Sequence, residues 1–290
     1  MSEQYPMQTG LMRITDTEFH ALVNFVKKNY GVDLSKKRGL IEGRMTNMLR
    51  TRGFQSFQQY IDILLKDTSG KECSAMLNKL TTNYSYFMRE PEHYKFLTDI
   101  ALPYLVKRRQ STRDLRIWSA GCSAGQEAYT TAMLLDEYFG SQKSMWDTRI
   151  LATDISMNML AQAQKAIYPA DNLKDIPPAW KQKYFVKVSG DSYQVCDKIR
   201  SQVIFRPMNL MDPFQHKKPM DIIFCRNVMI YFDTPTKDRL VQKFYHATAE
   251  GGFFFIGHSE GIDKMTSGYR YLKPAIYQRG GADLCTGSQK

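Results

Sequence analysis

The chain has 290 residues, 43% of them apolar and 24% charged, a composition that excludes collagen-like, disordered and low-complexity classes and is long enough for two domains or one large domain with appendages. Its 40 lysines and arginines against 29 acids leave a net charge of +11, which calls for an acidic partner: nucleic acid, anionic lipid or an acidic protein surface. No apolar run nears the roughly 18–20 residues of a membrane span, Met1–Gly10 lacks the pattern of a secretory signal, and five scattered cysteines without CxxC or Cys/His pairing exclude a disulfide framework and a structural zinc site, so a cytoplasmic protein is expected.

The first hundred residues read as helical. Phe19, Leu22, Val23 and Val26 share one face of a helix over Thr15–Tyr30, capped by Thr15 or Asp16. After Ser35, a second helix carries the apolar stripe Leu40, Ile41, Met45, Met48 and Leu49 opposite a cationic face, and ends at Gly53. Ser56–Leu65, Cys73–Thr81 and Pro91–Lys107 supply further helices. From Leu115 short β-branched and aromatic runs alternate with helical ones: Leu115–Ser119, Glu127–Phe139, Arg149–Thr153, Asn158–Ile167, Val203–Pro207, Ile222–Cys225, Lys237–Thr248, Gly252–Gly257 and Tyr271–Gln278. That alternation predicts an α/β fold with a doubly wound parallel sheet. The polar link at Gln110–Arg113 divides a helical domain, 1–110, from a sheet domain, 111–290, and Tyr184–Val188 and Tyr193–Cys196 around Gly190-Asp191 predict a small β-hairpin inserted at 178–203.

Two loops invite a ligand. The first strand runs into Ser119-Ala120-Gly121-Cys122-Ser123-Ala124-Gly125-Gln126-Glu127, where glycines permit close approach to the backbone or serve only a tight turn. The second strand ends in Ala152-Thr153-Asp154-Ile155-Ser156, where Asp154 can accept from both hydroxyls of a ribose, or Asp154 or Ser156 can cap the next helix. Neither GxGxxG nor a P-loop is present. A nucleoside ligand without a phosphate cradle favours S-adenosylmethionine over a dinucleotide.

Five blocks in order resemble the CheR family of chemotaxis receptor glutamate O-methyltransferases. They are Leu80–Glu90 (LTTNYSYFMRE), Ile117–Ser123, Ala152–Ser156, Ile223–Asp233 (IFCRNVMIYFD) and Gly257-His258-Ser259-Glu260. The resemblance implies a Rossmann-like S-adenosylmethionine-dependent methyltransferase domain with a small antiparallel β insertion behind an all-α N-terminal domain. It implies cofactor contacts at Asn83, Ser85, Arg89, Gly121, Glu127, Asp154, Asn209, Leu210, Arg226 and Asn227, catalytic roles for Arg89 and Tyr231, and S-adenosylhomocysteine as product. Ala124, Gln126 and Ala128 stand where family members commonly carry Thr, Glu and Pro, and Ser85 where Thr is usual. A glutamate carboxylate, with an ordinary pKa of about 4.3, is already a nucleophile at neutral pH, so no general base is required of His258. Cys122 and Cys225, without a histidine partner in sequence, read as packing residues.

The basic stretch supplies Lys36, Lys37, Arg38, Arg44, Arg50 and Arg52 as a cationic face that suits the acidic helical bundle of a methyl-accepting receptor. Some family members hold a receptor's C-terminal pentapeptide on the β insertion. The short turn Val188-Ser189-Gly190-Asp191-Ser192 lacks Gly-x-Gly, so a pentapeptide-independent enzyme is expected. No nucleic-acid partner, metal ion or membrane insertion is expected, and the chain is expected to be a monomer. A cofactor-binding signalling module and a nucleic-acid methyltransferase are the alternative readings. The second lacks an Asn/Asp-Pro-Pro-Tyr block, since Arg226-Asn227-Val228 occupies that place.

Overall fold

In a computed structural model, residues 10–81 and 84–281 are described. The chain divides into two compact units, Met1–Thr82 and Asn83–Lys290.

The first unit is helical: α1 (Asp16–Tyr30), α2 (Arg38–Thr51), α3 (Phe57–Lys66) and α4 (Lys71–Leu80). Thr15 rather than Asp16 caps α1, in a reciprocal capping box with Glu18. Glu18 is buried and also accepts from the Gln58 N–H at 2.8 Å, so one carboxylate fastens α1 to the start of α3. Ser56 lies outside α3 as its N-cap, its side chain accepting from the Gln59 N–H. On α2 the apolar stripe faces inward, with Ile41, Met45 and Leu49 fully buried.

The second unit begins earlier than composition suggests. Its opening helices α5 (Pro91–Phe96) and α6 (Leu102–Arg109) are joined by a π-turn over Leu97–Ala101, just ahead of Pro103, whose missing N–H breaks the regular ladder. Phe96, Leu97, Leu102 and Leu105 share a core with sheet residues Ile117, Phe253 and Phe255. Arg109 also makes a two-pronged bond, 2.8 and 2.6 Å, to the buried Asp221 carboxylate. The polar link at 110–113 is therefore a loop inside the second unit, and the division falls at 82/83.

The strands are β1 (Ile117–Ala120), β2 (Ile150–Asp154), β3 (Ile167–Pro169), β4 (Phe185–Ser189), β5 (Ser192–Val195), β6 (Val203–Pro207), β7 (Met220–Cys225), β8 (Thr248–Ile256), β9 (Arg270–Lys273) and β10 (Ile276–Gln278). Helices α7 (Gln126–Phe139), α8 (Met157–Lys165), α9 (Pro178–Tyr184), α10 (Asp197–Arg200) and α11 (Thr234–Ala247) connect them. The main sheet runs β6-β2-β1-β7-β8-β10-β9. Its first five strands are parallel, whereas β10 runs antiparallel to both of its neighbours, β8 and β9. The run 271–278 is thus a hairpin and not one strand: Pro274 cannot donate to a ladder, and Ala275 takes a left-handed φ of +62°. The insertion is a three-stranded sheet, β3-β5-β4, with 167–169 added to the expected hairpin. Of this short strand only Ile167 falls within the expected helical run Asn158–Ile167, and α8 ends before it, at Lys165. Strand order reverses between β1 and β7, and the loops leaving their carboxyl ends bound the crevice where such sheets take ligands.

Candidate functional site

Each wall of the crevice is a tight loop. After β1, Gly121 and Gly125 have φ of +78° and +92°, and Ser123 joins them at +50°. A Cβ on Gly121 would lie 2.4 Å from Val228 Cγ2, so the glycine lets the loop after β7 close onto the loop after β1. A Cβ on Gly125 would meet Ala163, Phe205 and Tyr129 at 3.0–3.3 Å. Both glycines therefore serve backbone conformation and packing between protein segments.

Asp154 ends β2 half-buried. Its Oδ2 accepts from the Ser123 N–H and its Oδ1 from the Ser156 N–H, each at 2.8 Å, so it ties the tips of β1 and β2 together. Burial holds its carboxyl above the ordinary range, and the backbone donors pull the other way. The cap of α8 is Ser156, which accepts from Met159 N–H at 3.0 Å. Each Asp154 oxygen has two acceptor positions, so hydroxyl donors can still be taken beside the backbone bonds. The Met208 N–H reaches the Asp154 carbonyl at 3.0 Å and brings the loop of Asn209 and Leu210 to the same corner. Asn209 Oδ1 accepts from Met211 N–H, and Leu210 is buried against Trp118 and Ile223.

Arg226 is buried at the end of β7, with 2% of its side chain exposed. Its guanidinium donates to Glu127 Oε2 at 3.0 Å, the Tyr94 hydroxyl at 3.2 Å, Glu90 Oε2 at 3.2 and 3.1 Å, and the Arg89 carbonyl. Burial opposes its charge, but Tyr94, Glu127 and Glu90 outweigh that and raise its pKa. Glu127 is bonded on its other oxygen by the Ser119 hydroxyl at 2.6 Å. Glu90 accepts the His258 backbone N–H at 3.1 Å. Arg226 thus stands inside the wall as a clamp.

Arg89 lies between two residues in the left-handed region, Met88 (φ +59°) and Glu90 (φ +56°). Its guanidinium donates to the Tyr84 carbonyl at 3.1 Å and rests 5.7 Å from the Tyr86 ring centre. It has no carboxylate partner among the described residues. Ser85 is half-buried beside these tyrosines, and Asn83 lies outside the described residues. Asn227 has φ +60° and a buried side-chain oxygen without a partner, and Tyr231 follows half-buried in a single 3₁₀ turn. Of the non-glycine residues with positive φ, Met88, Glu90, Ser123 and Asn227 all sit in these loops, the kind of over-determined backbone found at functional sites.

Several contributors take roles that the sequence did not assign to them. Glu260 accepts four backbone N–H groups at 2.6–3.2 Å. The Tyr168 hydroxyl of β3 donates to the Ala124 carbonyl at 2.6 Å and anchors the small sheet beneath the glycine loop. His93 is fully buried, its nitrogens without hydrogen-bond partners, and burial followed by the Arg226 charge pushes its pKa down to about 3. Glu90, His93 and His258 bring ligand atoms within 4.8 Å of one another. Both Glu90 oxygens are nevertheless engaged, and the adjacent guanidinium repels a cation. Burial raises the Cys122 and Cys225 thiols well above their ordinary value, which keeps both inert. The substituted positions Ala124, Gln126 and Ala128 are buried, and the Gln126 side-chain oxygen has no partner.

Two family models match this chain, the CheR methyltransferase all-alpha domain over residues 17–81 and the CheR methyltransferase SAM binding domain over residues 83–277. The chain belongs to the CheR methyltransferase family. It is 40% identical over 272 residues to a chemotaxis protein methyltransferase of Borreliella burgdorferi, covering 92% of this chain and 96% of that one. It is 36% identical to a probable chemotaxis protein methyltransferase of Rhizobium etli, over 78% of this chain and 85% of the other, and 34% identical to chemotaxis protein methyltransferase 2 of Vibrio cholerae, over 88% of each. The matched boundary at 81/83 coincides with the division between the units. S-adenosylmethionine is the cofactor of this CheR domain, and the donor set fits it: the Asp154 carboxylate can meet hydroxyls, and the orphaned Asn227 oxygen can meet a donor. No helix among the described residues is long and apolar enough to cross a membrane.

Within the first unit, three of the expected substrate contacts are occupied by local work. Arg52 forms a two-pronged pair with Glu72 at 2.7 and 2.8 Å, Arg38 pairs with Asp16 at 2.5 Å, and Arg44 reaches the last carbonyls of α4 at 3.2–3.4 Å. Lys36 and Lys37 are exposed just ahead of α2 and Arg50 is half-buried in its last turn, all three without an ion pair among the described residues.

Proposed function

We propose that this CheR-family chain transfers a methyl group from S-adenosylmethionine to glutamate side chains on the cytoplasmic helical bundle of methyl-accepting chemoreceptors, forming methyl esters. The observation that carries the reading is Arg89, a cation beside the crevice with a carbonyl and an aromatic ring for company and no carboxylate partner among the described residues. A permanent guanidinium so placed suits an incoming carboxylate. The cofactor supplies an electrophilic methyl. The carboxylate is ionised at neutral pH, so the protein's work is binding, orientation and exclusion of water. In this reading Asp154 holds ribose hydroxyls, Asn209 and Leu210 flank the adenine, and Glu127, Asn227, Gly121 and Ser85 complete the cofactor's surroundings. Asn83 belongs to the same set by resemblance. Arg226 acts from within the wall by holding Glu127 and the Arg89 carbonyl. Arg89 orients the carboxylate and Tyr231 donates a hydrogen bond near the transferred methyl. His258 is bound by its backbone and needs no base role. Lys36, Lys37 and Arg50 are the residues best disposed to meet an acidic bundle. The short Gly190-Asp191 turn supports recognition that does not depend on a receptor tail peptide; a clear gain in binding on adding such a peptide would overturn that part.

The test is transfer of labelled methyl to a receptor cytoplasmic fragment, with Asp154→Ala as control. Base-labile label on glutamate, lost in the control, is the expected result. Base-stable label, or label on RNA or DNA and none on receptor, would sink the proposal.

A further inference from the structure

We infer that Glu260 is a positioning residue of the methyl-transfer site, acting through the loop that carries Asn227 and Tyr231. The inference rests on the proposed reaction for its kinetic readout and on geometry for the rest. Among the described residues, the internal backbone bonds of the loop after β7 are Tyr231 N–H to the Val228 carbonyl at 3.4 Å and Phe232 N–H to the Met229 carbonyl at 3.1 Å. Three of its N–H groups turn inward instead, onto one carboxylate supplied by the segment after β8. Glu260 Oε2 accepts from Asn227 at 2.8 Å and from Gly257 at 2.6 Å, while Oε1 accepts from Met229 at 2.7 Å and Ile230 at 3.2 Å. Among the described residues no cation pairs with this carboxylate, so a concave nest of backbone dipoles is its counter-charge.

The arrangement is specific for two anionic oxygens. Each oxygen serves two donors, so an amide at this place would set an NH2 group against two N–H groups whichever way it turned. Gly257 makes the approach possible, since a Cβ there would lie 2.4 Å from Asn227 Nδ2 and 2.9 Å from its backbone nitrogen. Asn227 holds a left-handed φ of +60° that its neighbours must maintain. On its other side the loop meets the glycine turn, with Val228 against Gly121. Glu260 therefore fixes the depth at which Asn227 and Tyr231 stand relative to the β1 loop.

The experiment compares wild type, Glu260→Gln, Tyr231→Phe and the double variant, as full chains, for methyl transfer to a receptor fragment, S-adenosylhomocysteine affinity, thermal unfolding and amide hydrogen exchange across 226–231. Glu260→Gln is expected to lower kcat per folded molecule roughly tenfold to a hundredfold, the scale of a misplacement of about 1 Å. The receptor KM should change little, and exchange protection should fall selectively in this loop. In the Tyr231→Phe background the same substitution should cost much less. Unchanged loop protection, or full additivity of the two losses, would overturn the inference. A wild-type chain that methylates no receptor would instead overturn the reaction, leaving the exchange data to decide the positioning. Should Glu260→Gln fail to fold, Glu260→Asp, which withdraws the charge by one methylene, carries the same comparison.

Discussion

The two walls of the crevice solve one problem in opposite ways. The loop after β1 makes its tight backbone locally, with two glycines whose positive φ costs little and whose missing side chains admit Val228, Ala163 and Phe205. The loop after β7 contains no glycine and is held from a distance: Glu260 gathers its N–H groups, and Glu90 and Glu127 fix Arg226 at its base. A glycine turn is stable by what it lacks, whereas a carboxylate-held turn is only as stable as residues far away in the chain. The first kind of wall can be recognised from nine consecutive residues; the second cannot.

That difference can be broken first at Arg226. Arg226→Met leaves Glu90 and Glu127 partly buried and unpaired, and unfolding in denaturant should show a loss of about 3–5 kcal/mol. A smaller loss, near that of an exposed ion pair, would mean that the second wall does not depend on its clamp.

The contact between the walls is next. Gly121→Ala should cost roughly 1–2 kcal/mol for the left-handed backbone and a further roughly 1–3 kcal/mol for overlap with Val228. Adding Val228→Ala should recover only the second part, so a double-mutant cycle separates local strain from packing. Full recovery would show that the first wall, too, is set from outside.

The smallest effect is a pH dependence behind the second wall. His93 is buried and neutral, its pKa pushed down to about 3, so between about pH 6.5 and 3 the unfolded chain binds a proton that the folded chain refuses. Stability from this group is therefore complete above pH 6.5 and declines as pH falls, by roughly 2 kcal/mol between pH 7 and 5. Titrating unfolding free energy against pH should show that slope in the wild type and a shallower one in His93→Phe. Equal slopes would place the acid sensitivity elsewhere.

Much of this molecule was written locally. The amphipathic spacing of 15–66, the Thr15 cap, the strand–helix alternation from residue 115, the glycine turn at Gly121 and the strand end at Asp154 all depend on neighbours within a few turns of chain, and the structure has these elements where the pattern placed them. Tertiary structure decided what needed partners distant in sequence. Arg109 meets Asp221 across more than a hundred residues and draws α5 and α6 into the sheet unit. Pro274 and Ala275 turn one apparent strand into an antiparallel hairpin because β10 pairs with β8. Three arginines of a cationic run spend their donors on Asp16, Glu72 and the end of α4, while Arg226, from an apolar block, is bound by two carboxylates. Residue type and spacing determine which groups can bond; burial and the approach of distant segments determine which bonds form, because a desolvated donor or charge must find its partner wherever the fold delivers one.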